Sequence, residues 1–303
     1  MNDERDLAAA NPDKALTIEV AQLPFAPDTA RLDQHFLVST AAVEHLVELA
    51  DVRGEDVVAD VGSGVGTISA VLARRAHKVL AVEIDRRFEP MLRRLQSSAK
   101  NVEVHFGDFL DVDLSGVNKI VANPPFGLLE PMLRRLCDAM DIRLMAFVLG
   151  RHSADVLRAR IGAPDFTRLT LLIQAYFDVS VEATLPKMAF HPAPRTDASI
   201  VLLQRPERPT RGQRILRILV RAAAFKGGTR VRDVAATIGA RPVRGSYRIK
   251  AEQLSSPDIW SWRLQRLSNT QLSVLAADFI RLAGEEEPAT GAVSTVMTSE
   301  ELH

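Results

Sequence analysis

The stretch from residue 57 to residue 83 constrains the fold more than any other. Val57-Val58-Ala59-Asp60-Val61 is an apolar run of strand length, and Gly62-Ser63-Gly64-Val65-Gly66 follows at once. Residues 67–76 then read as a helix, and a second apolar run, Val79-Leu80-Ala81-Val82, closes on Glu83. Strand, glycine turn, helix and strand form a βαβ unit, which requires a parallel sheet with helices on its faces. The glycines let the backbone approach a ligand closely at the helix N-terminus. Glu83 stands twenty-one residues after Gly62, at a strand tip where an acid accepts the hydroxyls of a ribose. The unit predicts a doubly wound α/β domain holding an adenosine-bearing cofactor. A dinucleotide oxidoreductase fits less well, because Thr67 stands where the third glycine of Gly-x-Gly-x-x-Gly belongs.

Two more strand tips follow. Val102-Glu103-Val104-His105-Phe106 runs into Gly107-Asp108-Phe109. Asp108 is thereby placed to accept from an adenine amine with Phe109 beside the ring; a plain turn aspartate is the alternative. Ile120-Val121-Ala122 stops at Asn123, because Pro124 and Pro125 cannot donate to a sheet ladder. The corner offers an amide, a backbone carbonyl at Pro124 and then the ring of Phe126. Amide oxygen and carbonyl can accept both hydrogens of a planar NH2 group while the ring stacks on its bearer. Four successive strand tips thus deliver Gly62 with Gly64, Glu83, Asp108 and Asn123.

Around this frame the chain divides into four parts. Residues 1–30 are polar and proline-punctuated, an expected loose arm. Residues 31–205 form the expected cofactor-binding domain. In it Gln34 and His35 precede a helix capped by Ser39 or Thr40. Beyond the corner, a helix is expected from Glu130-Pro131 to Met140, a strand over 144–149 and a basic helix over 151–161. An apolar segment over 169–175, a strand over 177–185, a proline-broken loop over 190–195 and a strand over 198–203 complete the domain. Pro206 and Pro209 mark its boundary. Residues 206–284 carry short amphipathic helices over 215–225, 231–238 and 270–282. Residues 285–303 have the composition of a disordered tail.

Net charge is zero, yet its distribution is uneven. Residues 205–284 hold sixteen Lys and Arg against five Asp and Glu, the footprint of a polyanion-binding module, with solvated arginine-rich helix faces as the alternative. A single cysteine, Cys137, leaves no internal disulfide and points to a reducing, cytoplasmic location. No run reaches the length of a membrane span, and residues 1–20 have no secretory apolar core. The seven histidines form no ligand-spaced cluster, so no metal is expected.

The order Gln34-His-Phe-Leu37, Gly62-Ser-Gly-Val-Gly66, Glu83, Gly107-Asp108, Asn123-Pro-Pro-Phe126 and Phe190-His-Pro-Ala-Pro194 resembles the ribosomal RNA adenine N6-methyltransferases. That family comprises small-subunit dimethyltransferases and large-subunit macrolide-resistance enzymes. The likeness runs from about Arg31 to Ala283. The stretches from Ala224 to Asp233 and from Arg266 to Leu272 are similar to the helical domain of the small-subunit branch.

The resemblance implies a class I methyltransferase sheet, S-adenosylmethionine as cofactor and N6 of an rRNA adenosine as target. It places His35 and Leu37 at the methionine end, Gly62 on the turn and Glu83 at the ribose, with Gln34, Gly64 and Ile84 as further cofactor-binding residues. Asp108 and Phe109 fall at the adenine, and Asn123, Pro124 and Phe126 at the target base. It implies RNA contacts from Arg195, Lys226, Arg230 and Arg232, and a monomer as the acting form. His35 replaces the family's usual asparagine, and Pro124-Pro125-Phe126 replaces its usual Leu or Ile, Pro and Tyr. Asn-Pro-Pro-Phe also suits DNA adenine and protein glutamine methyltransferases, so substrate choice stays open between these and rRNA. Subunit, degree of methylation and any antibiotic-resistance role stay open as well. A member that lost catalysis and serves ribosome assembly is the rival of another class.

Overall fold

The computed structural model describes residues 20–29, 34–224, 228–239 and 249–284. It comprises two compact units, residues 1–158 with 172–208 and residues 159–171 with 209–303.

The first unit is built on a seven-stranded sheet. In chain order it contains β1 (Phe36–Leu37), α1 (Thr40–Leu49), β2 (Val57–Val61), α2 (Thr67–Ala73), β3 (Lys78–Glu83), α3 (Glu89–Ser98) and β4 (Val102–Phe106). Then come β5 (Lys119–Ala122), α4 (Phe126–Asp138), β6 (Leu144–Gly150), α5 (Arg151–Arg158), the residues from Leu172 on of α6 (Arg168–Tyr176), β7 (Asp178–Leu185), β8 (Phe190–His191) and β9 (Ala198–Gln204). The sheet order is β4-β3-β2-β5-β6-β9-β7; β9 is antiparallel to both neighbours and the remaining pairs are parallel. Val58, Ala59, Val79, Ala81, Ile120, Val121, Met145 and Ala146 are fully buried, as central parallel strands covered on both faces require. The edge strands β4 and β7 alternate buried or half-buried with exposed positions. The short pair β1–β8 stands apart from this sheet, with Phe36 opposite His191 and Leu37 opposite Phe190.

Helix α1 starts where Ser39 Oγ accepts from the Ala42 N–H at 3.2 Å, and it buries Ala42, Val43, Leu46 and Val47. Helix α4 differs from the sequence expectation. It begins at Phe126 rather than Glu130, and Pro131 lies inside it. Pro125 sits in the N-cap position, where its missing N–H has no helical partner to lose. Pro131 removes one bond of the second turn, and the buried Leu129, Met132, Leu133 and Leu136 hold the helix nonetheless. The stretch at 190–195, expected as a loop, contributes β8. Helix α5 ends at Arg158, three residues short of the expected 161.

The second unit holds α7 (Arg211–Ala224), α8 (Val231–Gly239) and α9 (Asn269–Leu282), with 3₁₀ turns at Ala251–Gln253, Pro257–Ser261 and Leu264–Arg266. Reciprocal bonds between Thr210 and Gln213, and between Ser268 and Gln271, cap α7 and α9. Residues 159–171 precede the expected boundary at 205/206 and still belong to this unit. The Gly162 N–H donates to Ser273 Oγ at 2.7 Å and Arg168 Nη2 to Leu267 O at 2.7 Å. Among the described residues no helix is long and apolar enough to cross a membrane. The expectations for residues 1–19 and 285–303 lie outside the described residues.

Candidate functional site

A cavity of about 330 Å³ opens at the carboxyl ends of β2 to β6, where open parallel sheets bind ligands. Its floor is the glycine turn. Gly62 and Gly64 have φ of 76° and 53°, a region only glycine enters without strain. A Cβ on Gly62 would lie 3.0 Å from Pro125 Cδ, and one on Gly64 would lie 2.9 Å from Phe36 Cε1. The turn therefore needs glycine for packing as well as for backbone conformation.

Glu83 locks this turn. Its Oε2 accepts from the Gly64 N–H at 2.7 Å and its Oε1 from the Asp85 N–H at 2.8 Å. Burial pushes the Glu83 carboxyl up, and these backbone donors oppose the shift. Each oxygen keeps a lone pair for a further donor. Below the turn, Asp60 is fully buried. Ser69 Oγ donates to its Oδ2 at 2.6 Å, while Oδ1 has no partner among the described residues. Burial pushes Asp60 up to about 7, with the nearby Glu83 charge adding to it.

The wall beside β3 is an ion-paired clamp. Arg87 Nη2 donates to Asp85 Oδ2 at 2.6 Å, and Gln34 Nε2 donates to the same oxygen at 2.9 Å. The Arg87 hydrogen bonds, with help from Gln34, hold Asp85 down to about 2. Gln34 Oε1 accepts from the Asp28 N–H at 2.7 Å, and the Arg87 guanidinium stacks on Phe25 at 4.5 Å. Gln34 is thus a fastener between residues 25–28 and the β3 tip.

The opposite wall is the proline corner. Asn123 Nδ2 donates to His35 O at 2.7 Å, and His35 Nδ1 donates to Pro192 O at 2.8 Å. The β1–β8 pairing brings these distant segments together. An amide whose NH2 is so engaged keeps Oδ1 as its acceptor.

Of the residues expected at the site, Gln34, His35, Gly62, Gly64, Glu83, Ile84, Asp108, Phe109, Asn123 and Pro124 all line this cavity. Ile84 is half exposed at the rim, and Phe109 is buried with the Arg135 guanidinium 5.0 Å above its ring. Asp108 Oδ1 accepts from the Leu110 N–H at 2.9 Å, so the turn role and the cavity position coexist. Leu37 does not line the cavity. It is buried in the hydrophobic core with Val43 and Phe190, because strand alternation turns it away from the side that Phe36 faces. The Phe126 side chain and Lys226 lie outside what is described. Arg195, Arg230 and Arg232 are exposed. Sequence reasoning missed Phe36 as a lining residue, the Asp85–Arg87 clamp and buried Asp60. Only the adjacency of Phe36 to Gln34-His35 carried a signal.

The topology with this pocket at its strand tips defines a Rossmann-like methyltransferase fold. The chain belongs to the ribosomal RNA adenine dimethylase family, whose model matches residues 28–238. It is 37% identical over 174 residues to the "Probable ribosomal RNA small subunit methyltransferase A" of Methanopyrus kandleri, covering 57% of this chain and 62% of that one. It is 31% identical over 275 residues to the ribosomal RNA small subunit methyltransferase A of Pelotomaculum thermopropionicum, covering 84% and 92%. The matches thus span as little as 62% of the length of the curated relatives. In fold it is similar to the 23S rRNA methyltransferase ErmE, with a TM-score of 0.56, 22% identity and coverage of 80% and 99%.

Proposed function

We propose that the protein transfers methyl groups to the exocyclic N6 of adenosine in ribosomal RNA, with S-adenosylmethionine as donor. The observation that carries this reading is the convergence of the glycine turn, Glu83 and Asn123 on one cavity. The residues suit the donor. Gly62 and Gly64 line the cavity with backbone alone, and the Glu83 oxygens retain acceptor capacity for ribose hydroxyls. The cavity lies within the usual range of small-ligand sites, about 300–1,000 Å³. Asp108 and Phe109 line the same cavity and would receive the adenine end.

When bound, S-adenosylmethionine supplies an electrophilic methyl on a sulfonium. The chain has to present a poor nucleophile, since the adenine amine lone pair is delocalised into the ring. Asn123 Oδ1 and the Pro124 carbonyl accept the two amine hydrogens, which pulls the nitrogen towards tetrahedral geometry and localises that pair. The His35 carbonyl holds the Asn123 amide in the required orientation. The nitrogen pair would then take the methyl as its bond to sulfur breaks, sulfur keeping that electron pair as a neutral thioether, and a proton would leave to water, so no strong general base is required. Phe126 stacks on the base, and positioning supplies most of the acceleration. The base must leave its stack to enter, at about a few kcal/mol and less in a loop or helix end.

The second unit would grip the RNA backbone. Its basic excess supports this, and Lys226, Arg230 and Arg232 are assigned phosphate contacts there, with Arg195 contributing from the first unit. Labelled methyl transfer to naked small- and large-subunit rRNA, followed by nucleoside analysis, tests the reading. It predicts N6-methylated adenosine; a labelled cytosine or ribose 2′-O-methyl contradicts it.

A further inference from the structure

A second cleft, of about 480 Å³, lies on the second unit and is lined by Arg230, Ser261, Trp262, Arg263 and Arg266. Its backbone is well fixed. Trp262 follows the Pro257–Ser261 turn and donates its N–H to Ile259 O at 2.8 Å. A short ladder ties it to the start of α8, with Val231 N–H donating to Trp262 O at 3.0 Å and Leu264 N–H to Thr229 O at 2.9 Å. That ladder sets Arg230 directly opposite Arg263. Like charges facing one another across a ladder destabilise it. Among the described residues no carboxylate pairs with the guanidinium of Arg230, Arg263 or Arg266; the nearby Asp233 is engaged by Arg232 at 3.7 Å. Gly228, at φ 72°, makes room for this arrangement, since a Cβ there would lie 2.8 Å from Arg263 Cδ. Between the arginines the Trp262 side chain is left 40% exposed.

Three uncompensated planar cations around an open indole call for a ligand with both an anion and an aromatic face. We propose that this cleft receives one unpaired nucleotide of the RNA, its base stacked on Trp262 and its phosphate held among Arg230, Arg263 and Arg266. Guanidinium forks match phosphate oxygens two at a time. An indole face stacks any base regardless of sequence, provided the base is free of its helix. A duplex hides its base faces and is therefore excluded from the stacking half of the site. The assignment rests on the proposed RNA-directed function and deepens it. The second unit selects RNA with an unpaired nucleotide at this spot instead of gripping backbone alone.

The chain has two tryptophans, so Trp260→Phe leaves Trp262 as the sole indole reporter. The full-length variant is titrated with a mixed-sequence single-stranded oligoribonucleotide, with a matched duplex and with AMP, following indole emission. The single strand is expected to quench Trp262 more strongly than the duplex and at far lower concentration than AMP. Trp262→Ala should weaken single-strand binding about ten- to a hundred-fold, whereas Trp262→Phe should retain most of it. Arg263→Ala should flatten the salt dependence by about one unit of log–log slope. Equal quenching by AMP would make this a free-mononucleotide site and overturn the proposal. So would single-strand binding without quenching, equal quenching by the duplex, or undiminished affinity in Trp262→Ala. Methyl transfer to rRNA by the parent protein is followed alongside. Its absence with quenching intact overturns the catalytic reading alone, and methyl transfer without quenching overturns only the cleft assignment.

Discussion

Asn123 Nδ2 lies 2.7 Å from the carbonyl oxygen of His35, eighty-eight residues earlier in the chain. This bond decides what the proline corner can do. It orients the amide, commits one of its two N–H donors and leaves its oxygen as an acceptor beside the Pro124 carbonyl. His35 is itself fastened through Nδ1 to Pro192 O, so the corner is held by both the β1 and β8 segments. The contact that His35 supplies to Asn123 comes from its backbone, and its side chain anchors the β8 segment.

The contact between the glycine turn and Phe36 predicts a coupled pair. Gly64→Ala should destabilise the fold by roughly 1–2 kcal/mol for the left-handed backbone alone, with more from the ring 2.9 Å away. Phe36→Ala relieves only the second part. Thermal unfolding of both single variants and the double should therefore show a non-additive pair, the double being less destabilised than the sum. Strict additivity would mean the ring does not confine the turn.

Glu83→Ala should lose roughly 1.5–3 kcal/mol of S-adenosylmethionine affinity, as expected for hydrogen bonds to a charged acceptor. It also frees the Gly64 and Asp85 N–H groups that the carboxylate now holds, so the loss should fall towards the upper end. Calorimetry showing unchanged affinity would remove Glu83 from the ribose site.

Asp60 makes stability depend on pH. Its carboxyl is raised from 3.8 to about 7 by burial, so the native state favours the protonated form. That contribution is complete below about pH 4, declines as pH rises through 7 and stays constant above. Between those limits stability should fall by roughly 1 kcal/mol per pH unit. Glu83, also raised by burial, acts in the same direction, while the lowered Asp85 contributes stability that is lost only as pH falls from about 4 towards 2. Asp60→Asn should flatten the decline in Tm between pH 5 and 8. Parallel Tm profiles for parent and variant would contradict this.

The sheet was legible because its strands are short apolar runs ended by residues that leave a sheet: Gly62, Gly107 and Pro124. The position of the candidate cavity was legible for the same reason, since strand tips converge by topology alone. What escaped depends on pairings between distant residues. Gln34 could be placed near the site, but its fastening to Asp85, fifty-one residues on, follows from no local pattern. Leu37 was set at the site by resemblance, and alternation along a two-residue strand buries it instead. The helix start at Phe126 was missed because Pro131 outweighed the apolar spacing of Leu129, Leu133 and Leu136. Residues 159–171 read as a continuation of the sheet domain, and only their packing against the segments carrying Leu267 and Ser273 assigns them to the second unit.

The most direct test of the central claim is the Asn123→Ala variant, measured for S-adenosylmethionine affinity by calorimetry and for single-turnover methyl transfer to ribosomal RNA. Asn123 is assigned to the target amine, so donor affinity should stay near that of the parent. The transfer rate should fall by about 10²–10³, as removal of one preorganised hydrogen-bond partner typically does. Transfer of a methyl to adenine N6 at the parent rate in this variant would contradict the account and reduce Asn123-Pro124-Pro125-Phe126 to a turn.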